Sequence, residues 1–128
     1  TARIDKTVAA VRAMSWVEFS RAIEEAYRRD GYEVTAANAA AADFRIRKEW
    51  RTAPVGCKRW KAARTGVEPL QELHAAKEAH DAQECIYVTT GELTDKARAF
   101  AGKHAIRLVG GSELARLLPG VGRGKKAA

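Results

Sequence analysis

The sequence lacks the residues and motifs that mark several common protein classes. Its two cysteines and three histidines form neither a CxxC pair nor a zinc spacing, so no zinc site is expected and a reduced, cytoplasmic setting fits. No apolar run approaches the roughly 20 residues of a membrane span, and no signal peptide is visible. The patterns GxxxxGK(S/T) and GxGxxG and a Ser-His-Asp arrangement are also missing, which argues against P-loop, dinucleotide-binding and serine hydrolase functions.

Acidic residues are scarce in the middle of the chain, where most of its net charge arises. Between Arg45 and Arg64, eight basic residues stand against the single acid Glu49, so this segment alone carries the +7 of the whole chain. The eight are Arg45, Arg47, Lys48, Arg51, Lys58, Arg59, Lys61 and Arg64. Such a charge predicts a polyanionic partner, either nucleic acid or, less often, an anionic membrane face. A basic but unspecific surface is the alternative.

Two tryptophans, Trp50 and Trp60, lie among these basic residues. Aromatic side chains between Arg and Lys can stack on nucleic acid bases. The interpretation that we favour from the sequence is structural: each Trp closes one end of a hairpin and is buried against its neighbours.

Residues 43–61 read D-F-R-I-R-K-E-W-R-T-A-P-V-G-C-K-R-W-K and predict a β-hairpin. Apolar and charged residues alternate over 44–48, the pattern of a strand with one buried face. Residues 49–52 are polar enough to turn, and residues 53–60 predict a second strand. The hairpin would place Asp43 at the start of one strand and Lys58 on the other.

A carboxylate and a lysine held together in this way form half of a metal-dependent phosphodiesterase site. The carboxylate of Asp43 would hold Mg²⁺, which polarises a phosphate and helps to activate water. Lys58 would place positive charge beside the attacking water or the transition state. The alternative is an ordinary hairpin with a surface Asp and a surface Lys, and spacing alone favours that alternative.

The remaining sequence predicts helices that alternate with strands in a single domain. Ser15 and Glu18 form a capping box that begins the first helix, and Gly31 ends it. Later helices are predicted to begin near residue 68 and to be capped by Thr94 and Ser112. Further strands are predicted at 32–35, 84–90 and 106–109, with 84–90 in the centre of the sheet.

The order α-β-β-β-α-β-α-β-α predicts an α/β fold. Strands that follow the hairpin are separated by helices, which implies parallel pairing with right-handed crossovers. The product is a mixed sheet of about five strands flanked by helices on both faces. Residues 1–13 are predicted to be a mixed lead-in with a candidate helix over 8–11, residues 14–118 the domain, and 119–128 a flexible basic tail. Residues 36–42 are predicted to be a loop, Cys57 and Cys85 to be buried, and His74 and His80 to face solvent.

Six segments between Met14 and Leu118 carry a resemblance to a known family. The opening helix and first strand of that family are similar to S-W-V-E-F-S with Y-R-R-D-G-Y-E-V. Its strand with the metal-binding aspartate is similar to A-D-F-R-I-R, and its V-Q-C-K-x-W motif is similar to V-G-C-K-R-W-K. The three segments that follow this motif in the family are similar to T-G-V-E-P-L-Q-E-L, I-Y-V-T-T-G-E-L-T-D-K-A-R-A-F-A and I-R-L-V-G-G-S-E-L. The family is the Mrr-type restriction endonuclease catalytic domain of the PD-(D/E)xK nuclease superfamily.

The resemblance implies a restriction-endonuclease-like fold and a DNA endonuclease used in defence against foreign DNA. It would require Mg²⁺, with Mn²⁺ as a substitute, bound by Asp43 and the backbone carbonyl of Cys57, and Lys58 would be the catalytic lysine. DNA contacts are expected from Arg45, Arg47, Arg51, Arg59, Lys61 and Arg64. DNA is the expected partner, with a homodimer left open and neither a small-molecule substrate nor membrane contact expected within this chain.

The sequence departs from the family pattern where ligands are expected. Gly56 replaces the Gln or Glu two residues before the lysine, and Ser20 replaces an acid in the first helix. A Mg²⁺ site would then need another carboxylate, from Glu18, Glu24 or Glu49. Two alternatives stay open: a DNA-binding module that has lost turnover, and a protein-interaction domain with incidental charge. Since the chain begins without Met, we expect a fragment of a longer protein, and a membrane anchor upstream is left open.

Overall fold

A computed structural model describes residues 1–37 and 42–122 of the chain. The first half contains α1 (Ala2–Arg12), α2 (Trp16–Arg29), β1 (Glu33–Ala36), β2 (Phe44–Lys48), β3 (Arg51–Gly56) and β4 (Arg64–Thr65). The second half contains α3 (Val67–Ala79), β5 (Ile86–Val88), β6 (Glu92–Leu93), α4 (Asp95–Lys103), β7 (Arg107–Val109) and α5 (Gly111–Leu117). No helix in these ranges is long and apolar enough to cross a membrane.

The main sheet has five strands in the order β1-β2-β3-β5-β7. β1, β2 and β3 pair antiparallel, whereas β5 pairs parallel with both β3 and β7. The short strands β4 and β6 form a separate parallel pair. The predicted mixed five-stranded sheet is therefore confirmed, and so is the interior position of the strand that contains Ile86.

Two apolar clusters pack helices onto opposite faces of this sheet. On one face, Phe19 and Ile23 of α2 and Leu114 of α5 meet Phe44 and Val55. On the other face, Leu70 and Leu73 of α3 and Ala97 and Ala101 of α4 pack with Tyr87. Helices therefore cover both faces, as the sequence predicted.

The first 13 residues are more ordered than the predicted lead-in. α1 is an 11-residue helix whose Thr7 and Val11 are buried, and Thr1 caps it. It packs closely on α5, because a Cβ on Gly111 would lie only 2.9 Å from Val8 Cγ2. At the other end of the chain, Val121 packs against the main core, so the flexible tail predicted for 119–128 is wrong at that residue; residues 123–128 lie outside the described ranges.

The capping box predicted before α2 is present. Glu18 N donates to Ser15 Oγ over 3.1 Å, and Ser15 N donates to Glu18 Oε1 over 2.8 Å. Gly31 follows the helix with φ of +95°, a left-handed conformation that favours glycine. The cap predicted for the last helix is wrong, since α5 begins after Gly110, whose N–H donates to the Glu113 carboxylate over 3.4 Å.

The hairpin differs from its prediction in its boundaries. β3 begins at Arg51 and ends at Gly56, so Lys58 follows the strand instead of lying on it. The turn is tight because Glu49 adopts φ of +58°. The predicted loop at 36–42 begins one residue later, after the last residue of β1, and residues 38–41 lie outside the described ranges.

The two tryptophans have different environments. Trp60 is 5% exposed and stacks on Phe19 with ring centroids 4.5 Å apart, and its Nε1 donates to the Val11 carbonyl over 2.7 Å. Trp50 is 71% exposed at the β2–β3 turn. The prediction that both are buried is thus wrong for Trp50, because it lies in a two-residue turn at the end of the sheet, where the Arg51 guanidinium, 5.7 Å from its ring, leaves most of the side chain exposed.

His74 was predicted to face solvent, but its side chain is packed against other rings. Its ring centroid lies 4.3 Å from that of His104 and 5.9 Å from that of Phe100, so it packs between α3 and α4. His80 is exposed as predicted, and both cysteines are buried and free.

We expect Gly91→Ala to destabilise the protein and Gly102→Ala to stabilise it. A Cβ on Gly91 would lie 1.9 Å from the Ala62 carbonyl oxygen, whereas a Cβ on Gly102 meets nothing within 4 Å. Overpacking against backbone costs about 1–3 kcal/mol or more, while Gly→Ala at an unstrained helical position gains about 0.4–1 kcal/mol. Urea unfolding of both variants measures these changes, and equal unfolding midpoints would contradict the close approach at Gly91.

Candidate active site

Asp43 is fixed at the end of the hairpin by backbone hydrogen bonds. Its Oδ2 accepts from Cys57 N over 2.6 Å and from Lys58 N over 2.9 Å. Its own N–H donates to the Val55 carbonyl over 2.8 Å. Hydrogen bonds to a charged acceptor are short and strong, so the start of β2 and the residues after β3 are tied together. The hairpin thus brings Asp43 beside Lys58, as the sequence suggested.

These residues face a cavity of about 670 Å³, which we call the Asp43 cleft. One wall comes from the sheet and the segment after β3, and the other from the first two turns of α3. Its lining residues are Asp43, Gly56, Cys57, Lys58, Arg59, Glu68, Pro69, Glu72 and Tyr87. The cleft therefore combines carboxylates, two cations and a phenol, a mixture that suits a bound cation together with a phosphate.

The two α3 carboxylates of the cleft, Glu68 and Glu72, were not among the predicted site residues. They are spaced i, i+4 and therefore lie on one face of the helix, turned away from buried Leu70 and Leu73. The spacing E-x-x-x-E after V-G-C-K was the available signal. Sequence alone could not place it, because the approach of α3 to β3 is a tertiary contact.

The three carboxylates predicted as recruits lie in different places. Glu18 Oε1 is engaged by Ser15 N in the capping box. Glu49 is in the β2–β3 turn, at the opposite end of β2 from Asp43. Glu24 makes a 3.5 Å ion pair with Arg28, and its charge contributes to a raised pKa of Cys57. None of the three is among the residues that line the Asp43 cleft.

The thiol of Cys57 is held in its neutral form. Burial raises its pKa well above the ordinary value, and the charge of Asp43 and a hydrogen bond to it act in the same direction. A protonated thiol is neither a nucleophile nor a metal ligand. In the structure, Cys57 contributes its backbone N–H, which donates to Asp43. The role of its backbone carbonyl as a metal ligand stays a prediction.

The six arginines and lysines predicted to contact DNA lie in different parts of the structure. Arg59 lines the Asp43 cleft. Lys61 lies 5.1 Å from the centroid of the Trp60 ring, and Arg64 is on β4. The other three are on β2 and β3: Arg45 lines a different cavity beside β1, Arg47 pairs with Glu33 over 2.7 Å, and Arg51 pairs with Glu84. Arg59 is thus the member of the set nearest to the candidate chemistry.

The residues fit a metal ion that is shared with a substrate. In the described ranges, no three His, Cys, Asp or Glu side chains are grouped so that they could hold a metal ion. Mg²⁺ commonly binds through one or two carboxylates, with substrate phosphates and waters completing its shell. The anchored carboxylate of Asp43 suits that arrangement and does not suit a cage made of protein alone.

Two solved structures are similar to this chain. The first is AF1548, a protein of unknown function whose crystal structure superposes with a TM-score of 0.58 and 18% identity over 70% of this chain. The chain spans 55% of the length of that protein. The second is the MspJI restriction endonuclease in complex with a 27-mer oligonucleotide, with a TM-score of 0.46 and 16% identity. The match covers 91% of this chain and 27% of the MspJI chain. No curated protein matches.

Residues 11–118 match the sequence model of the Mrr catalytic domain, described as a restriction endonuclease. The matched range contains the anchored Asp43, Lys58 and every other residue of the Asp43 cleft. The chain therefore belongs to the Mrr-type restriction endonuclease catalytic domain family.

Proposed function

We propose that this chain is a metal-dependent DNA endonuclease domain whose reaction centre is the Asp43 cleft. The observation that carries the proposal is the clamp on Asp43, whose Oδ2 accepts from the backbone N–H groups of Cys57 and Lys58. The clamp fixes a carboxylate beside the segment that contains the lysine, at a cleft also lined by Arg59. This is the arrangement expected for hydrolysis of a phosphodiester.

Each group has a separate role in this proposal. Asp43 would hold a divalent cation, Mg²⁺ or Mn²⁺, which when bound supplies Lewis-acid polarisation of the phosphate and lowers the pKa of water. Lys58 would place its ammonium group against the charge that develops in the transition state. Arg59 would bind a neighbouring phosphate through its guanidinium group.

The second carboxylate would come from α3. Gly56 provides no ligand where the family pattern has Gln or Glu, and Glu68 and Glu72 line the same cleft as Asp43. Two carboxylates facing a DNA phosphate would repel it, unless a cation lies between them. This charge arrangement supports a cation in the cleft when DNA is bound, with Glu24 as an alternative recruit on the α2 side.

A second candidate function is a DNA-binding module that keeps the fold without cleaving. Gly56 favours it, together with the lack of a three-residue metal cluster in the described ranges. Both functions require DNA binding, so they share one test and separate on cleavage. The affinity of the chain for a labelled DNA duplex should fall steeply as salt is raised, because each phosphate contact releases a counterion. Affinity that does not change with salt would contradict both functions.

We expect Arg59→Ala to weaken DNA binding and to reduce the slope of log affinity against log salt by about 1. Arg47→Ala is the matched control, since Arg47 is paired with Glu33 and lies away from the Asp43 cleft. Fluorescence anisotropy across a salt series measures both slopes. Equal losses in the two variants would mean that DNA does not bind across the cleft.

A further inference from the structure

Tyr87 has a buried hydroxyl group for which the described ranges offer no hydrogen-bond partner. The residue is 5% exposed on the interior strand β5, and among the described residues its Oη has no partner. Buried polar groups are nearly always paired, so an unpaired one needs an explanation. The ring packs with Leu70 and Leu73, and phenylalanine would satisfy those contacts equally well.

The position of Tyr87 connects its hydroxyl to the Asp43 cleft. The side chain lines the cleft, and Tyr87 is in register with Gly56 of β3. Asp43 directly precedes Phe44, which pairs with Val55. Gly56 therefore lies between Asp43 and Tyr87 across the sheet. With strands about 4.8 Å apart, this leaves roughly 10 Å between the two backbones, without a side chain from Gly56.

The groups around the phenol act on its pKa in opposite directions. Burial raises the pKa of Tyr87, the neighbouring Thr65 hydroxyl and then the positive charge of Arg59 oppose this rise, and the negative charge of Asp43 adds to it. The hydroxyl is therefore protonated at neutral pH and can donate its hydrogen. Because the side chain lines a cleft that also contains Lys58 and Arg59, a donor at this position is suited to an anionic oxygen.

We propose that Tyr87 is a substrate-contacting residue whose Oη donates a hydrogen bond to a phosphate oxygen of DNA bound in the Asp43 cleft. The inference rests on the proposed DNA function and adds a residue to it. A phenol here occupies the side of the cleft where Gly56 leaves space, so it would fix the phosphate from the sheet side while Lys58 and Arg59 approach from the segment after β3.

A purely structural role would involve Thr65. Within the part of the chain that the structure describes, its buried Oγ1 has no partner either, and its side chain is close enough to the phenol to lower the pKa of Tyr87. If the two hydroxyls served only each other, removing either one would lower stability and leave DNA binding unchanged. Thr65→Val is therefore the matched control for Tyr87→Phe.

The experiment measures the affinity of a short labelled DNA duplex for wild type, Tyr87→Phe and Thr65→Val across a salt series, together with the unfolding temperature of each. For Tyr87→Phe we expect about a tenfold loss of affinity, since a hydrogen bond to a charged group is lost. Its salt slope should equal that of wild type because no charge is removed. Its unfolding temperature should be unchanged or higher, and Thr65→Val should bind as wild type does.

The outcomes separate this inference from the proposed function. If wild type binds DNA and Tyr87→Phe binds equally well, the Tyr87 assignment is overturned and the endonuclease proposal stands. Lowered unfolding temperatures in Tyr87→Phe and Thr65→Val with wild-type affinity in both would show a structural pair, and equal losses of affinity in both would mean that the loss does not come from a hydrogen bond of Tyr87 to DNA; either result also overturns the assignment. If wild type does not bind DNA at any salt concentration, the proposed function fails and Tyr87 loses its ligand with it.

Discussion

Asp43→Asn is expected to abolish DNA cleavage while the protein remains folded. An asparagine oxygen can still accept from the backbone N–H groups of Cys57 and Lys58, which now donate to Oδ2. The neutral amide, however, cannot hold a divalent cation as a carboxylate does. The loss should be at least about 10²–10³-fold, the effect of removing one main electrostatic group from a reaction centre.

Asp43→Ala should lose both cleavage and stability, and the pair of variants separates the two roles. Alanine leaves two backbone donors without their acceptor, which costs about 1–3 kcal/mol for each group that stays buried. Urea unfolding should therefore give a lower midpoint for Asp43→Ala than for Asp43→Asn. If both variants unfold like wild type, the backbone clamp contributes nothing to the fold. If Asp43→Asn cleaves at the wild-type rate, Asp43 does not hold the metal.

Lys58→Ala is expected to lower the cleavage rate by about 10²–10³-fold and to weaken DNA binding only slightly. The substitution keeps the backbone N–H that donates to Asp43 Oδ2, so the carboxylate stays in place. Because the side chain is exposed, stability should change by no more than about 0.5 kcal/mol. Any loss of rate is then a loss of transition-state stabilisation and not of fold.

Lys61→Ala is the matched control for Lys58→Ala. It removes the same charge three residues further along, where the ammonium group lies over the Trp60 ring and outside the Asp43 cleft. Single-turnover cleavage with saturating protein compares the chemical step in both variants. A rate for Lys58→Ala close to that of Lys61→Ala would remove Lys58 from the chemistry.

The local features of the fold could be predicted from the sequence because local chemistry specifies them. The Ser15–Glu18 capping box and the alternation in 44–48 each depend on neighbours a few residues away. Only residues 8–11 of α1 were predicted as a helix, although Ile4, Val8 and Val11 have helical spacing, because the sequence does not reveal that α5 packs on this stripe at Gly111. Trp50 was wrongly expected to be buried, since the sequence does not reveal whether any element covers the end of the hairpin.

One part of the candidate site could likewise be predicted from the sequence, and the other part could not. The hairpin alone brings Asp43 and Lys58 together, so the proximity of these two residues follows from the local sequence pattern. Glu72 and Tyr87 reach the cleft only because β5 pairs parallel with β3 after the α3 crossover. That contact spans 31 residues between Gly56 and Tyr87, and no local pattern encodes it.

Cleavage of supercoiled plasmid DNA by wild type and Asp43→Asn, in Mg²⁺ and in Mn²⁺, tests the central claim most directly. We predict that wild type converts the plasmid to nicked or linear product in at least one metal, and that Asp43→Asn binds the plasmid and leaves it intact. If wild type binds the plasmid but leaves it supercoiled in both metals, the endonuclease proposal is contradicted and the domain is a DNA-binding module.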